Sequence, residues 1–167
     1  MTTDRVRVAV VADTHLRAGT LDRLPTEVWR RVAAADVVLH AGDVVEDELL
    51  AALAAETPTH AVLGNNDTAI GDRLPETLEL VLGGVRVAMI HDSGTSAGRA
   101  GRMRRRFPDA DIVVFGHSHL PLDEEGDGGQ RLFNPGSPTQ RRRAPTHTMG
   151  ELVLADGEIA GHALVHL

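Results

Sequence analysis

Val8-Ala9-Val10-Val11-Ala12 runs without a polar residue into Asp13-Thr14-His15. An apolar run of this length, rich in β-branched residues and closed by an aspartate, reads as a buried strand meeting a loop. The same transition recurs down the chain. Val37 to Leu39 leads into Gly42-Asp43, Ala61 to Leu63 into Gly64-Asn65-Asn66-Asp67, Val87 to Ile90 into His91, and Ile112 to Phe115 into Gly116-His117-Ser118-His119. Each polar cluster is thus expected to emerge at a strand end, and in open α/β sheets the loops at the carboxyl ends of the strands form the ligand site. Side chains far apart in the chain should therefore meet in one place.

The segments between these runs carry the period of helices. Pro25 to Ala35 has proline near its start and places Val28, Val32 and Ala35 at i, i+4, i+7. Asp47 to Glu56 sets Leu49, Leu50 and Leu53 on one side and stops before Pro58. Strand, helix and strand alternate as in a parallel βαβ unit, so a doubly wound first half is expected. From Leu78 the pattern changes: Leu78 to Leu82 and Val85 to Ile90 flank Gly83-Gly84, the mark of an antiparallel hairpin. Gly98 to Arg106 is predicted as a helix and Asp111 to Phe115 as a strand. Arg131 to Phe133 runs into the Asn134-Pro135-Gly136-Ser137 turn, and Glu151 to Ala155 with Glu158 to Val165 flank the hairpin signal Asp156-Gly157. The acidic Asp123 to Asp127 segment with Gly128-Gly129 reads as an exposed turn. Mixed α/β is what the periodicity alone supports.

At 167 residues, 1–167 reads as a single domain with a two-layer core and no internal boundary. The absence of cysteine excludes disulfides, thiolate ligands and cysteine nucleophiles, leaving metal binding to histidine, carboxylate and amide oxygen. A formal charge of −7 and an aromatic content of 2% argue against a nucleic-acid partner, which would call for a basic stripe and stacking platforms. No run approaches the ~20 apolar residues of a membrane span, and the first residues lack a signal-peptide layout. A cytoplasmic protein without a membrane partner is expected. Nothing in the residues fixes an oligomeric state, and a homo-oligomer is compatible with them.

Taken in order, D-x-H, GD, GNxD, H and GHSH resemble the motifs of the calcineurin-like metallophosphoesterases, and Asn134-Pro135-Gly136-Ser137 resembles a turn in their small bacterial and archaeal phosphodiesterases. The resemblance implies a four-layer α/β/β/α sandwich of two mixed sheets and a metal-dependent phosphoesterase, most simply a phosphodiesterase acting on small-molecule phosphoesters. It implies two divalent ions, Mn²⁺ before Ni²⁺, Fe or Zn²⁺. Asp43 would bridge them, Asp13, His15 and His119 would complete one, and Asn65, His91 and His117 the other. A hydroxide shared by the ions would attack phosphorus in line. Two ions contribute about +4, the two carboxylates and the hydroxide remove three, and about one positive charge is left to attract a phosphate.

Two residues depart from the family pattern. Relatives have histidine where this chain has Asn66, and an amide cannot deliver a proton, so diesters with good leaving groups are favoured. Asn66 still belongs with Asp43 and Asp67 in the expected catalytic set, Asp67 serving as a structural hydrogen-bond acceptor. Asp92 stands where relatives often have glycine, either orienting His91 or reshaping its loop. His40 and His147 are weak stand-ins for the missing donor, the first better read as a hydrogen-bonding neighbour of Asp43 and the second as a surface residue. For substrate binding, Arg141 and Arg142 join Asn66, because they follow the Asn134 turn and arginine forks around phosphate oxygens. Arg102, Arg104, Arg105 and Arg106 read instead as a solvated helix end complementing the helix dipole, about 10 Å or more from the metals. Alternatives in other classes are a noncatalytic protein-binding scaffold of the same fold, as in the retromer subunit, and, with less support, a nuclease.

Overall fold

The computed structural model describes residues 4–167. In chain order the first half comprises β1 (Val6–Val11), α1 (Thr26–Ala34), β2 (Val37–His40), α2 (Asp47–Glu56) and β3 (Thr59–Ala61). The second half comprises β4 (Thr77–Leu82), β5 (Val85–Ile90), α3 (Arg99–Arg106), β6 (Ile112–Val114), β7 (Leu122–Glu125), β8 (Arg131–Asn134), β9 (Thr148–Ala155) and β10 (Glu158–His166). They form two five-stranded sheets, ordered β10-β9-β1-β2-β3 and β4-β5-β6-β8-β7. Each sheet has a parallel centre, β1-β2-β3 in one and β5-β6-β8 in the other, with antiparallel strands at its margin.

The sheets stack face to face. Inward residues of β1 (Val8, Val10) meet Val85, Val87 and Met89 of β5, Ile112 and Val114 of β6, and Leu152 and Leu154 of β9 in one buried cluster. The phenyl ring of Phe133 fills the space over Gly150, where any Cβ would collide with it. The outward face of the first sheet is covered by α1 and α2 through Val28, Val32, Leu49 and Leu53, all fully buried. The outward face of the second is covered by α3 and the residues after it, through Met103 and Phe107. The result is the α/β/β/α sandwich.

The parallel half is not doubly wound as its βαβ pattern predicts. Both crossover helices lie on one face of the first sheet, because its other face is taken by the second sheet. Two local expectations also shift. The third strand occupies Thr59–Ala61 rather than Ala61 to Leu63, since its ladder runs Val38↔Thr59, Leu39↔His60 and His40↔Ala61, and the apolar Val62 beyond it packs in the core. The acidic segment is not merely a turn: Leu122–Glu125 forms an edge strand on β8, where charged side chains are tolerated because one margin faces water.

The two ends of the sandwich close differently. At one end the β4–β5 and β9–β10 turns touch, the Gly157 amide donating to the Gly83 carbonyl at 2.8 Å. At the other, the carboxyl ends of β1, β2, β5 and β6 open into the loops that carry the aspartates and histidines.

A candidate metal centre

Those loops are pinned to each other by backbone hydrogen bonds. The Asp13 amide donates to the Gly42 carbonyl at 3.0 Å, the His15 amide to the Asp43 carbonyl at 3.0 Å, and the Gly116 amide to the His91 carbonyl at 2.9 Å. Asp13 (φ 55°), His15 (47°), Asp43 (58°), His117 (70°) and His119 (60°) all adopt left-handed backbone. This region costs an L-residue free energy and persists only where the surroundings over-determine it, typically at functional sites. Successive residues of a strand would diverge to opposite faces. The left-handed turns fold D-x-H and H-x-H back, bringing Asp13, His15 and His119 to one point and leaving His117 beside Asn65.

The side chains meet accordingly. His15 Nε2 lies 3.4 Å from Asp43 Oδ2 and 4.0 Å from Asp13 Oδ1. His91 Nε2 lies 3.5 Å from the same Asp43 oxygen and 3.9 Å from Asp13 Oδ1, and His119 Nε2 lies 3.6 Å from Asp13 Oδ1. Asp43 therefore faces both a His15/His119 side and a His91 side. On the latter, Asn65 Oδ1 sits 3.0 Å from His91 Nε2 and 3.1 Å from His117 Nδ1. Among the described residues, the sets Asp13-His15-His119 and Asp13-Asp43-His91 each bring their ligand atoms within 4.8 Å of one another.

For His91 and His119, proton placement leaves Nε2 as a lone pair. His91 Nδ1 is 2.7 Å from the Ala41 carbonyl, and His119 Nδ1 contacts the Gln140 carbonyl. A carbonyl can only accept, so in each neutral ring the proton resides on Nδ1 and Nε2 is bare. Yet His15 Nε2 and His119 Nε2 approach to 3.2 Å, and Asp13 Oδ2 is buried with no hydrogen-bond partner. Convergent lone pairs around two buried carboxylates, all nitrogen or oxygen donors, are what a divalent cation requires. The residues fit one.

Electrostatics agree with that fit. Burial pushes the Asp13 carboxyl up to about 7, against the pull of His91, the cost of desolvating a carboxylate. Burial also acts on Asp43, but His91, whose Nε2 donates to it when the ring carries a second proton in the absence of a cation, and the backbone and side chain of Asn66 outweigh it and hold Asp43 well below the usual carboxylate range. Burial opposes protonation of His91, while Asp43, the Ala41 carbonyl and Asp13 overcome it and raise its pKa. His119 is pushed down to about 4 by burial, with the Arg142 charge adding to the effect. His15 is lowered by burial, and Arg142 contributes there too.

The remaining expected residues divide by what they touch. Asn66 caps Asp43 twice, its amide nitrogen 2.8 Å from Oδ1 and its Nδ2 2.7 Å from Oδ2. Asp67 faces the backbone rather than the opening: it accepts from the amides of Asp43 (3.0 Å), Val45 (2.7 Å) and Gly64 (2.7 Å). Three backbone donors on a buried carboxylate fix the Gly42-Asp43 turn, and a Cβ at Gly64 would run into the nitrogen and Oδ1 of Asp43. Fully buried His40 accepts from the Gly42 amide through Nδ1 (3.2 Å), so its Nε2 proton goes to Thr14 Oγ1 at 2.9 Å. It cannot reach a substrate. Arg142 (φ 47°) places its charge near Asp13, His15 and His119. Arg141 turns away to the Ala144 carbonyl at 2.9 Å.

Asp92 does not orient His91, whose Nδ1 is taken by Ala41. It caps its own loop through the Gly94 amide (2.7 Å), and its Oδ2 stands 3.9 Å from His117 Nε2. The arginine cluster is likewise not one solvated helix end. Arg102 grips the carbonyls of Ser93 (2.9 Å), Thr95 (2.5 Å) and Ala97 (3.3 Å), and Arg106 lines a hollow beside Asn65 and His91. The side chains that sequence reasoning missed are those bracing the loops. Ser137 Oγ donates to the Asp13 carbonyl at 2.8 Å, Thr139 Oγ1 to the Thr14 carbonyl at 2.7 Å, and Asn134 Nδ2 to the Gly116 carbonyl at 3.0 Å. The Asn134-Pro135-Gly136-Ser137 turn was their signal.

Comparison with known proteins gives the family. Residues 6–157 match the family model of the calcineurin-like phosphoesterase superfamily domain. The chain belongs to this superfamily. It is 29% identical over 153 residues to a probable metallophosphoesterase of Methanothermobacter thermautotrophicus, covering 90% of this chain and 87% of that protein. Among solved structures it resembles vacuolar protein sorting 29 from Cryptosporidium parvum (TM-score 0.78, 22% identity, 98% of each chain). It also resembles an archaeal phosphodiesterase (TM-score 0.70, 19% identity, 96% of this chain and 99% of that one). No helix among the described residues is long and apolar enough to cross a membrane.

Proposed function

We propose that this metallophosphoesterase hydrolyses phosphodiesters of small molecules, using two divalent cations. The observation that carries this reading is the clustering of the ligand atoms of Asp13, His15, Asp43, His91 and His119, with Asn65 and His117 beside them, on loops where Asp13, His15, Asp43, His117 and His119 adopt left-handed backbone. Asp13, His15 and His119 would hold one cation, Asn65, His91 and His117 the other, and Asp43 both. When bound, such a pair supplies water of lowered pKa and neutralises charge on the phosphoryl oxygens. Mn²⁺ is the first choice, with Ni²⁺, Fe and Zn²⁺ as alternatives.

The chain's own residues position and screen. Asp67 and His40 fix the turn bearing Asp43, and Asn66 holds both Asp43 oxygens while its outer edge meets the incoming ester. Arg142 adds positive charge on the His15/His119 side, where a phosphate oxygen gains most from it. Hollows of about 370 Å³ beside His15 and Asn66 and about 360 Å³ beside Asn65 and His91 flank the centre. Two arms of a diester fit two hollows better than the single arm of a monoester does.

Hydrolysis of bis(p-nitrophenyl) phosphate with added Mn²⁺ tests the reading. Wild-type protein should release nitrophenolate, and Asp43→Ala should lose on the order of 10³-fold or more, the scale of removing transition-state charge stabilisation. Equal rates in the two proteins would refute it. A noncatalytic scaffold is supported by the fold shared with vacuolar protein sorting 29, and metal binding without turnover in this assay would favour it.

A further inference from the structure

The hollow beside His15 and Asn66 contains groups that metal binding does not use. Besides those two residues it is lined by Arg17, Glu46, Thr68 and Gln140. Arg17 is exposed, and among the described residues it is one of the arginines left without a carboxylate partner, where six others have one. Arg7, Arg30, Arg31, Arg73, Arg86 and Arg131 each pair with a carboxylate. Arg17 forms no ion pair among the described residues, although Glu46 shares its hollow and Glu48 lies on the neighbouring helix.

Its backbone is nonetheless held firmly. Buried Leu16 bridges to Val45, the Arg17 carbonyl accepts from Thr20 Oγ1 at 2.7 Å and from the Thr20 amide at 3.1 Å, and the Gly19 amide donates to Glu48 Oε2 at 2.6 Å. That last contact gives the Glu48 carboxylate a partner other than the guanidinium. A fixed backbone with an unpaired cation at the rim of a polar hollow is prepared for an anion from outside.

We propose that Arg17 recognises a second phosphate on the substrate, carried by the arm that enters this hollow. This rests on the phosphoester reading and narrows its substrate class to small molecules with two or more linked or neighbouring phosphates. Asn66, Gln140 and Thr68, neutral and polar, line the same space. Glu46 limits how much negative charge the hollow accepts.

The test compares kcat/KM for diadenosine tetraphosphate, whose arms are anionic, with kcat/KM for bis(p-nitrophenyl) phosphate, whose arms are not. Arg17→Ala should lower the ratio of the two by about tenfold or more, the worth of one charge-assisted contact. Arg17→Lys should recover part of the loss, and Glu46→Gln should raise the ratio. A ratio within about twofold of wild type in Arg17→Ala overturns the proposal. Calorimetric titration of the wild-type and Arg17→Ala proteins with methylenediphosphonate gives a readout independent of turnover. Weakening by about tenfold supports the assignment, and equal affinity or no wild-type binding overturns it. If neither substrate is hydrolysed by any form, the phosphoester reading fails while the titration still decides the role of Arg17.

Discussion

Asn66 shows how much one side chain decides here. It holds Asp43 through two hydrogen bonds, and those bonds help keep Asp43 ionised against its burial. What an amide lacks is a proton to give a leaving alkoxide. Of the other histidines weighed for that task, His40 is sealed beneath Thr14, and burial pushes its pKa down to about 3. Asn66→His should therefore accelerate hydrolysis of esters with poor leaving groups, such as alkyl diesters, by ~10²-fold, while nitrophenyl esters change little. Comparing the two rates in the same variant checks this. An unchanged alkyl rate would place the donor elsewhere in the site.

At the scale of elements, the strand ends were legible because burial leaves a plain signature. Inward residues of β1, β5 and β6 must be apolar on both faces, so the runs stop where the chain leaves the sandwich. The β4–β5 and β9–β10 hairpins were legible from glycine, which their turns need at positive φ. What hydrophobic patterning does not encode is partnership. It cannot say that the second face of the first sheet is covered by another sheet, nor that Leu122–Glu125 pairs along an edge despite its charge. In the site, residue types were legible because metals demand them. The bracing by Ser137 and Thr139 was not, because those side chains serve backbone carbonyls more than a hundred positions away. Gly64 belongs to this scale: its missing Cβ lets the β3 loop lie against the Asp43 turn. Gly64→Ala should abolish activity while leaving far-ultraviolet dichroism intact, because the clash displaces a loop and not a strand. Activity within about tenfold of wild type would contradict the close approach.

For the whole molecule, the centre couples proton and cation to stability. Burial raises Asp13 from 3.8 to about 7, and its neighbours raise His91. At Asp13 and His91 the metal-free folded protein therefore retains protons that the unfolded chain releases, and the share of stability tied to these two groups fades as pH rises through about 7, while His15, His40 and His119, lowered by burial, act in the opposite direction. A bound cation takes the place of those protons. The rise in Tm on adding Mn²⁺ to chelator-treated protein should accordingly be larger at pH 8 than at pH 6.5, as differential scanning fluorimetry can measure. A larger rise at pH 6.5 would mean that the carboxylates are not the groups engaged.

The touching turns at Gly83 and Gly157 lie at the opposite end from the ligand loops, and a backbone hydrogen bond joins them there. The sandwich is thus bound along a spine at one end and fastened at the other, like a book with a clasp, by hydrogen bonds from His91, His117 and Ser137 to the loops after β1 and β2. Loosening the clasp lets the covers part at the open edge without shearing the pages, so fluctuations of the ligand-free molecule should concentrate where its chemistry resides.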